Sequence, residues 1–464
     1  MESDTIVAVA TPPGEGGVGI VRASGSASAL LPERLFPSTP PPWPSRRMRH
    51  GIVVDPETGQ ALDRAVGCLM RSPRSYTGED VFEIHCHGSP LVLNQVVYAC
   101  LRLGCRPARP GEFTLRAFLN GRLDLSQAEA VIDVVRARTN AGLELAMQQL
   151  AGWLSQRSEP IRQDLLGALA HMEAMVDFVE DDIPPELDAS VQHRLYAAQQ
   201  AIDALLDGAE QGIILREGAT LAIVGGPNVG KSSIMNGLLG IDRSIVTPIA
   251  GTTRDTIEET IEVRGVPFRA IDTAGITDTL DEVERVGVER SRQTLNAADV
   301  ALLVFDRSRP LSAPDRLAIE AAVAAGEQRC GHGHRQRLVV VLNKADLPSA
   351  LELDGALQGL SAEALVSSST AAPNGLDALR GALEHAALGN TRHEFVVGNV
   401  RHQDALRRAS AALRETLRSL QSGTPLDLVS LDVRSAVAAL GEISGAQVDD
   451  ELLDRIFRDF CIGK

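Results

Sequence analysis

The segment Gly225-Gly226-Pro227-Asn228-Val229-Gly230-Lys231-Ser232 follows a short apolar run, Leu221–Val224, and leads into helix-type sequence. A G-x4-G-K-S spacing between a strand and a helix is a P-loop, and it restricts this part of the chain to a parallel α/β sheet. Its glycines let backbone N–H groups wrap phosphate oxygens. Lys231 reaches the β- and γ-phosphates, and Ser232 is placed to ligate Mg2+. Asn228, Val229, Gly230 and Ser233 complete the cradle.

Two of the three lysines mark the same chemistry, and the third, Lys464, points to a different one. Among 45 basic residues only Lys231, Lys344 and Lys464 are lysine. Where Arg serves as the general cation, a surviving Lys marks a position where a planar guanidinium does not suffice. Lys344 lies in Asn343-Lys344-Ala345-Asp346, at the end of a strand-like run. There the Asp346 carboxylate can accept from N1–H and the 2-amino group of guanine, an edge that adenine lacks. Downstream of the P-loop, Gly251-Thr252-Thr253-Arg254-Asp255 supplies a switch threonine, with Thr253 as second Mg2+ ligand. In Asp272-Thr273-Ala274-Gly275, Asp272 can hold Mg2+ through water and Gly275 N–H can meet the γ-phosphate. The run Ser367–Thr370 is expected to supply an amide to guanine O6, with Ser369 and Thr370 as the contacts. GTP is therefore the expected nucleotide. Ile276 stands where Ras-like GTPases carry a water-positioning Gln, so hydrolysis needs another group. The acidic run Asp281–Arg285 offers either a polarising carboxylate or a solvated helix N-terminus.

At 464 residues the chain is too long for one ordinary core. Residues 1–120 mix β-like runs, Thr5–Ala10, Val18–Ala23 and Val81–His87, with Gly and Pro. Residues 126–215 read as helix, opened by a capping box Ser126-x-x-Glu129 and continuing from Leu143 to Phe178. Residues 219–385 alternate strand and helix. Helical texture returns after about 390, with Thr424 as N-cap, Pro425 at N1, and a last helix at Val448–Phe460. The expected fold is a multidomain α+β chain: an N-terminal α/β domain (1–120), a helical bundle domain in two parts (121–216 and 387–464), and an inserted Ras-like P-loop α/β domain (217–386). Two separate helical bundles are the alternative.

The acidic N-terminus and the lack of a long apolar run predict a cytoplasmic protein without a signal peptide or membrane span. The six cysteines lack paired spacing and read as reduced thiols. In His85-Cys86-His87, strand alternation puts the histidines on one face and the thiol on the other, which favours structure over a metal. The net charge of -16 argues against a broad nucleic-acid surface, yet residues 1–124 carry 13 Arg against 12 acidic residues. If a polyanion binds, Arg46-Arg47-Arg49 and Arg102-Arg106-Arg109 are the candidates, with solvated surface as the competing reading. Gly14-x-Gly16-Gly17-x-Gly19 lies between strands and is a poor dinucleotide fingerprint.

Taken together, Gly251–Asp255, Asp281–Arg285, Thr11-Pro12-Pro13-Gly14, Arg109-Pro110-Gly111-Glu112-Phe113 and the terminal Cys461-Ile462-Gly463-Lys464 resemble the MnmE (TrmE) family of tRNA-modification GTPases over essentially the full length. The resemblance implies a dimerising, folate-binding N-terminal domain and a GTPase domain inserted into a helical domain. It implies GTPase domains activated by K+ instead of an arginine finger. Asn228 matches the K+-ligating Asn, and Thr247, Ile249 and Thr252 match the loop that completes that cation site, with Pro248, Ala250 and Gly251 beside them. Glu284 matches the water-positioning acid. The family's folate contacts fall on Arg22, Glu83, Arg122 and Lys464, with Arg122 standing where family members can have Lys. The implied reaction installs an aminomethyl or carboxymethylaminomethyl group on C5 of the wobble uridine of certain tRNAs. A tetrahydrofolate (5,10-methylene or 5-formyl) supplies the one-carbon unit, and an MnmG-type partner carrying FAD completes a heterotetramer with the homodimer. Cys461 would sit beside the folate, where its thiol could be catalytic. The terminal Cys-Ile-Gly-Lys does not suit prenylation. The four terminal residues are expected to form a short flexible arm. The competing function is a ribosome-assembly or RNA-binding switch GTPase that makes no covalent change.

Overall fold

Alternation along Val81–Gly88 buries Phe82, Ile84 and Cys86 and turns Glu83, His85 and His87 the other way. A strand with one apolar and one polar face needs a cover on one side only. The structure, a computed structural model, describes residues 4–177, 185–240, 260–271, 295–329, 337–353, 355–390 and 396–464. Its first elements are β1 (Ile6–Val9), β2 (Gly16–Ser24), α1 (Leu31–Leu35), β3 (Met48–Val54), β4 (Ala61–Met70), β5 (Val81–Gly88), α2 (Pro90–Arg102), β6 (Arg106–Pro107) and α3 (Glu112–Leu119). The strands form a six-stranded sheet in the order β3-β4-β5-β2-β1-β6. Only the β1–β6 pairing is parallel. Leu93, Val96, Ala99 and Cys100 of α2 cover its apolar face, packing on Val7, Val21, Phe82 and Ile84. Each such Leu, Val, Ile or Phe side chain contributes about 1.5–3 kcal/mol on leaving water.

Sequence reading missed the hairpin β3–β4. Its outer strand is half exposed, and Arg49, His50 and Gly51 blur the alternation. The usable signal was the turn Asp55-Pro56-Glu57-Thr58-Gly59, in which Gly59 takes a φ of 72°. Within the glycine run at 14–19, Gly19 serves close packing, while Gly14 and Gly17 have open space where a Cβ would be. A Cβ on Gly19 would stand 2.5 Å from Leu93, and one on Gly88 would stand 2.4 Å from the Gly16 carbonyl oxygen. The buried Cys86 thiol is pushed up to about 12, by burial first and by Asp63 second. His87 pairs with Asp63 and His85 faces Glu83. Among the described residues there is no metal-binding cluster.

The helices that follow are α4 (Leu125–Arg136), α5 (Asn140–Leu150), α6 (Trp153–Asp177), α7 (Pro185–Leu206) and α8 (Ala209–Glu217). The capping box of α4 is set two residues earlier than expected. Asp124 accepts from Gln127 N–H at 2.9 Å, and the Gln127 side chain accepts from Asp124 N–H at 3.0 Å. Ser126 and Glu129 instead lie buried inside the helix. The helix expected from Leu143 to Phe178 breaks at Gly152, whose φ is 83°.

The α/β segment contains β7 (Ala219–Val224), α9 (Lys231–Leu239), β8 (Thr260–Val263), β9 (Val266–Ala270), β10 (Val300–Asp306), α10 (Ala313–Arg329), β11 (Arg337–Asn343), β12 (Ala362–Ser367) and α11 (Asp377–Leu388). Its sheet order is β12-β11-β10-β7-β9-β8. All pairings are parallel except the β8–β9 hairpin. β10 is buried at every position, as a central strand covered on both faces must be. The carboxyl ends of β7, β10, β11 and β12 therefore share one edge, where open α/β sheets bind ligands.

The chain closes with α12 (Val400–Gln421), α13 (Leu426–Ser444) and α14 (Asp450–Arg458). Pro425 takes the cap position of α13, one residue later than expected of Thr424, and Asp449 caps α14 through Leu452 N–H at 2.8 Å. Contacts divide the chain into two units: Met1–Ile132 with Gln149–Asp182 and Thr424–Lys464, and Asp133–Gln148 with Ile183–Gly423. In the first, α6 packs on α13; in the second, α7 packs on α12. In each unit a helix preceding the α/β segment pairs with one following it.

Candidate functional site

β7 delivers the chain into the P-loop through positions that exclude a side chain. Gly225 has φ 153°, and a Cβ there would stand 2.3 Å from the Val304 carbonyl oxygen. Gly230, at φ 97°, would place a Cβ 2.2 Å from Asn343 Nδ2. That amide is engaged: it donates to the Val229 carbonyl at 2.9 Å and so ties the end of β11 to the loop. Lys231 Nζ lies against the carbonyls of Gly225 and Gly226 at 3.1 and 2.8 Å, an ammonium held over the loop. Ser232 and Ser233 follow in the first turn of α9.

The base-side residues converge on the same edge. Lys344, with φ 59°, donates to the Asn228 carbonyl at 3.0 Å and to the Asp306 carboxylate at 2.6 Å. Burial pushes the Asp306 carboxyl up, but hydrogen bonds from Lys344 and Ser308 and the Lys344 charge hold it below its ordinary value. Ser368 donates to Asn343 Oδ1 at 3.2 Å, and Ser369 donates to Asp346 Oδ1 at 2.5 Å. Ala345 N–H donates to the Ser368 carbonyl at 2.9 Å. The Ser/Thr run is thus assigned in order: Ser368 holds Asn343, Ser369 holds Asp346, and Thr370 comes next.

Asp306 and Ser368 escaped the sequence reading. Asp306 ends the apolar run Val300–Phe305, where a carboxylate at a strand's carboxyl end was the available signal. Asp315, 2% exposed, was missed too: it binds Arg309 at 2.9 Å and sits where a Cβ on Gly226 would intrude. Thr247, Pro248, Ile249, Ala250, Gly251, Thr252, Thr253, Asp272, Thr273, Ala274, Gly275, Ile276 and Glu284 lie outside the described residues.

A second constellation forms on the open face of the N-terminal sheet. Arg22 and Glu83 are cross-strand partners of β2 and β5, and their side chains pair at 2.8 Å. The Arg22 guanidinium lies 5.5 Å from the Tyr76 ring centre and 5.8 Å from that of Phe113. It also donates to the Gly463 carbonyl at 3.3 Å. Gly463 is buried, with φ 97°, and a Cβ on it would stand 2.2 Å from the Val9 carbonyl oxygen. Gly111 N–H and Lys464 N–H both point to the Cys461 carbonyl, at 3.5 and 3.3 Å. The expected flexible arm is therefore a seated turn, because backbone hydrogen bonds replace the helix that ends at Arg458. The Cys461 side chain stays exposed. Arg122 is held elsewhere: its stem packs at Gly78, while Asn120 donates to the Thr77 carbonyl at 2.8 Å. Among the described residues it makes no hydrogen bond to Arg22, Glu83 or Lys464.

A network beneath the tail fixes α3. Arg106 and Arg116 share Glu112 and Asp4, and Arg116 also reaches Glu79 at 3.1 Å. Burial pushes the Glu112 carboxyl up, but hydrogen bonds from Arg106, Arg109 N–H and Arg116 hold it below its ordinary value.

The family model described as the MnmE helical domain matches residues 125–461, and that described as the GTP-binding protein TrmE N-terminus matches residues 5–122. The tRNA modification GTPase MnmE of Roseiflexus sp. (strain RS-1) is 47% identical over 472 residues, covering 99% of each chain. The protein of that name from Levilactobacillus brevis is 43% identical over 469 residues, covering 100% of this chain and 99% of its own. That of Geobacter sulfurreducens is 45% identical over 466 residues, covering 99% of each. With a P-loop and guanine-type edge in one unit, a seated Cys-Ile-Gly-Lys tail in the other and relatives alike from end to end, the chain belongs to the MnmE (TrmE) family of tRNA modification GTPases.

Proposed function

We propose that this chain hydrolyses GTP under K+ activation and, with an FAD-dependent MnmG-type partner, installs a carboxymethylaminomethyl or aminomethyl group on C5 of the wobble uridine of certain tRNAs. The observation that carries the nucleotide assignment is the Asn343–Val229, Lys344–Asn228 and Ser369–Asp346 set of bonds. It joins phosphate loop and base edge into one frame and supports Asp346 as the carboxylate that reads guanine's donor edge. Thr370 N–H is the donor for O6. Residues 217–386 form the GTPase domain, and residues 121–216 with 387–464 the helical domain that holds it.

The residues fit the implied ions. Ser232 offers a hydroxyl at the first turn of α9, and Asn228 is exposed with a side-chain oxygen suited to K+. Mg2+ would be held by Ser232 and Thr253, and K+ by Asn228 with Thr247, Ile249 and Thr252. Bound cations neutralise charge developing on the phosphates. Glu284 positions water in place of the Gln that Ile276 displaces.

Residues 1–120 form the folate-binding and dimerising domain. The Arg22–Glu83 pair suits a tetrahydrofolate (5,10-methylene or 5-formyl): a carboxylate for the pterin's donor edge, cations for the glutamyl tail, and the Tyr76 and Phe113 rings alongside. That cofactor would supply the one-carbon unit. Lys464 and Arg122 add positive charge, Arg122 from its place at Gly78, and Cys461 presents its thiol on the terminal turn. No described helix is long and apolar enough to cross a membrane, and the chain is proposed to act in the cytoplasm.

The test has two arms. Phosphate release should rise in K+ but not in Na+ at equal ionic strength, and Glu284→Ala should bind GTP while losing about 10²–10⁴ in rate. Wobble-uridine mass spectrometry should show the modification missing from cells without this protein and restored by complementation. Equal rates in both cations would remove the K+ assignment. Normal wobble uridine in the deletion strain would leave the RNA-switch GTPase as the function.

A further inference from the structure

The two arginine clusters that stood out in the sequence differ in the structure. In the second, Arg102 pairs with Asp55 and Glu57, and Arg106 with Asp4 and Glu112. The first has no such partners. Arg46, Arg47, Arg49 and Arg74 make no ion pair among the described residues. Residues 34–54 and 64–78 contain no acidic residue at all, in a chain of net charge -16. Of the acids that flank these stretches, Asp55 pairs with Arg102, Asp63 with His87, Asp80 with Arg71, and Glu79 with Arg116 and Ser24.

The Arg46 and Arg49 guanidiniums are held in place rather than trailing in solvent. Arg46 N–H donates to the Leu69 carbonyl at 2.7 Å. Its guanidinium donates twice to the Arg74 carbonyl, at 3.1 and 2.7 Å. Arg49 donates to the carbonyls of Pro40 and Pro42 at 2.6 and 2.7 Å and lies 5.3 Å from the Trp43 ring centre. Arg47 and Arg74 are exposed and engage no side chain among the described residues.

Two links join the ledge to the tail site: Arg74 stands two residues before Tyr76, whose ring centre lies 5.5 Å from the Arg22 guanidinium, and the register puts Met48 on the face of the Arg22–Glu83 pair, with Arg49 turned to the opposite face against Trp43. Met48, Cys68, Glu83 and Arg22 are successive cross-strand partners over β3, β4, β5 and β2. Cross-strand partners share a face, so this row runs from the Arg22–Glu83 pair to the strand that Arg46 and Arg47 open. Three strand spacings make the separation about 14 Å. A few nucleotides of a single strand span that distance.

We propose that Arg46, Arg47, Arg49 and Arg74 form a phosphate-binding ledge for tRNA, which holds the backbone flanking the wobble nucleotide while its base reaches the Arg22–Glu83–Cys461 site. This rests on the tRNA-modifying function proposed above. Guanidiniums free of carboxylates, two of them fixed and two open to solvent, suit phosphate oxygens, and backbone contacts set register without reading sequence.

The experiment uses the full-length protein and unmodified substrate tRNA across a salt series. Arg47→Gln with Arg74→Gln should weaken binding and flatten the log Kd against log salt slope by about 0.7 for each lost contact, roughly 1.4 in all. K+-stimulated GTP hydrolysis should not change. Arg414→Gln with Arg418→Gln, which removes two exposed arginines of α12, should leave the slope intact. Wild-type affinity and slope in the first variant would overturn the ledge while leaving the proposed function standing. Failure of the wild-type protein to bind tRNA would instead overturn both. Loss of affinity for a protein partner with unchanged tRNA binding would assign the ledge to that partner and overturn the proposal. Should the variant misfold, dicarbonyl labelling of wild-type arginines decides: tRNA should protect Arg47 and Arg74, and equal labelling with and without tRNA would overturn the assignment.

Discussion

Arg22 donates a hydrogen bond to the carbonyl oxygen of Gly463 at 3.3 Å, across 441 residues of chain. The same guanidinium is pinned by Glu83 at 2.8 Å. The terminal turn is thereby docked on β2, and Cys461, two residues earlier, acquires a defined position. In the proposed reaction the seat of the tail should matter as much as its thiol.

Gly463→Ala should therefore act as strongly as a change to Cys461 itself. The added methyl meets the Val9 carbonyl and burdens a left-handed backbone. A displacement of this size costs about 10²-fold in a positioned reaction. Wobble-uridine mass spectrometry should show the loss, while phosphate release stays near wild type. Unchanged modification in Gly463→Ala would mean that the tail's seat is irrelevant.

Cys461→Ser should likewise abolish modification and spare hydrolysis. A thiol and a hydroxyl have nearly the same shape, so the seat survives while the soft nucleophile is gone. Paired phosphate release and nucleoside analysis in a complemented strain check it.

Asp346→Asn should exchange guanine for xanthine preference. The amide can donate to the oxygen that replaces the 2-amino group, and Ser369 can still bond the retained side-chain oxygen. Titration with GTP, XTP and ATP measures the switch. Wild-type binding of ATP as tight as GTP would refute the base assignment.

Asp306→Asn should loosen the nucleotide frame without touching the nucleotide. It removes the charged partner of Lys344, whose ammonium also holds the Asn228 carbonyl. Charge-assisted hydrogen bonds of this kind are worth about 1.5–3 kcal/mol, so GTP affinity should fall by roughly tenfold or more. Isothermal titration reads it directly.

Glu112 links pH to the stability of the N-terminal unit. Its folded carboxyl is held below the ordinary value, so its contribution is present above that value and disappears as pH falls through the folded one. Glu112→Gln should cost about 1–3 kcal/mol near pH 7. The difference from wild type in thermal unfolding should shrink steadily below about pH 4. A difference that grows on acidification would contradict this sign.

The nucleotide motif was legible because its chemistry is local. Gly225–Ser232 and Asn343–Asp346 each act through residues adjacent in the chain, and the strand-then-helix rhythm around them announces a parallel sheet. The cores were legible for the same reason, through the apolar runs Leu221–Val224 and Val300–Phe305. Helix starts were less so: Ser126 was expected to cap the first helix, but Asp124 accepts from Gln127 N–H and Ser126 lies buried inside the helix.

By itself the sequence determined a P-loop fold and singled out Asp346 as the proposed guanine-reading carboxylate, since backbone conformation and base chemistry there depend on neighbouring residues. Only the tertiary structure decided that Lys344 is anchored by Asp306, that Ser368 and Ser369 divide the holding of Asn343 and Asp346, and that the tail is seated rather than free. It also separated Arg102 and Arg106, neutralised by carboxylates, from Arg46, Arg47, Arg49 and Arg74, which are not. Each of these depends on which strands pair and in what register. Burial and long-range packing set that register, and no local window of sequence contains it.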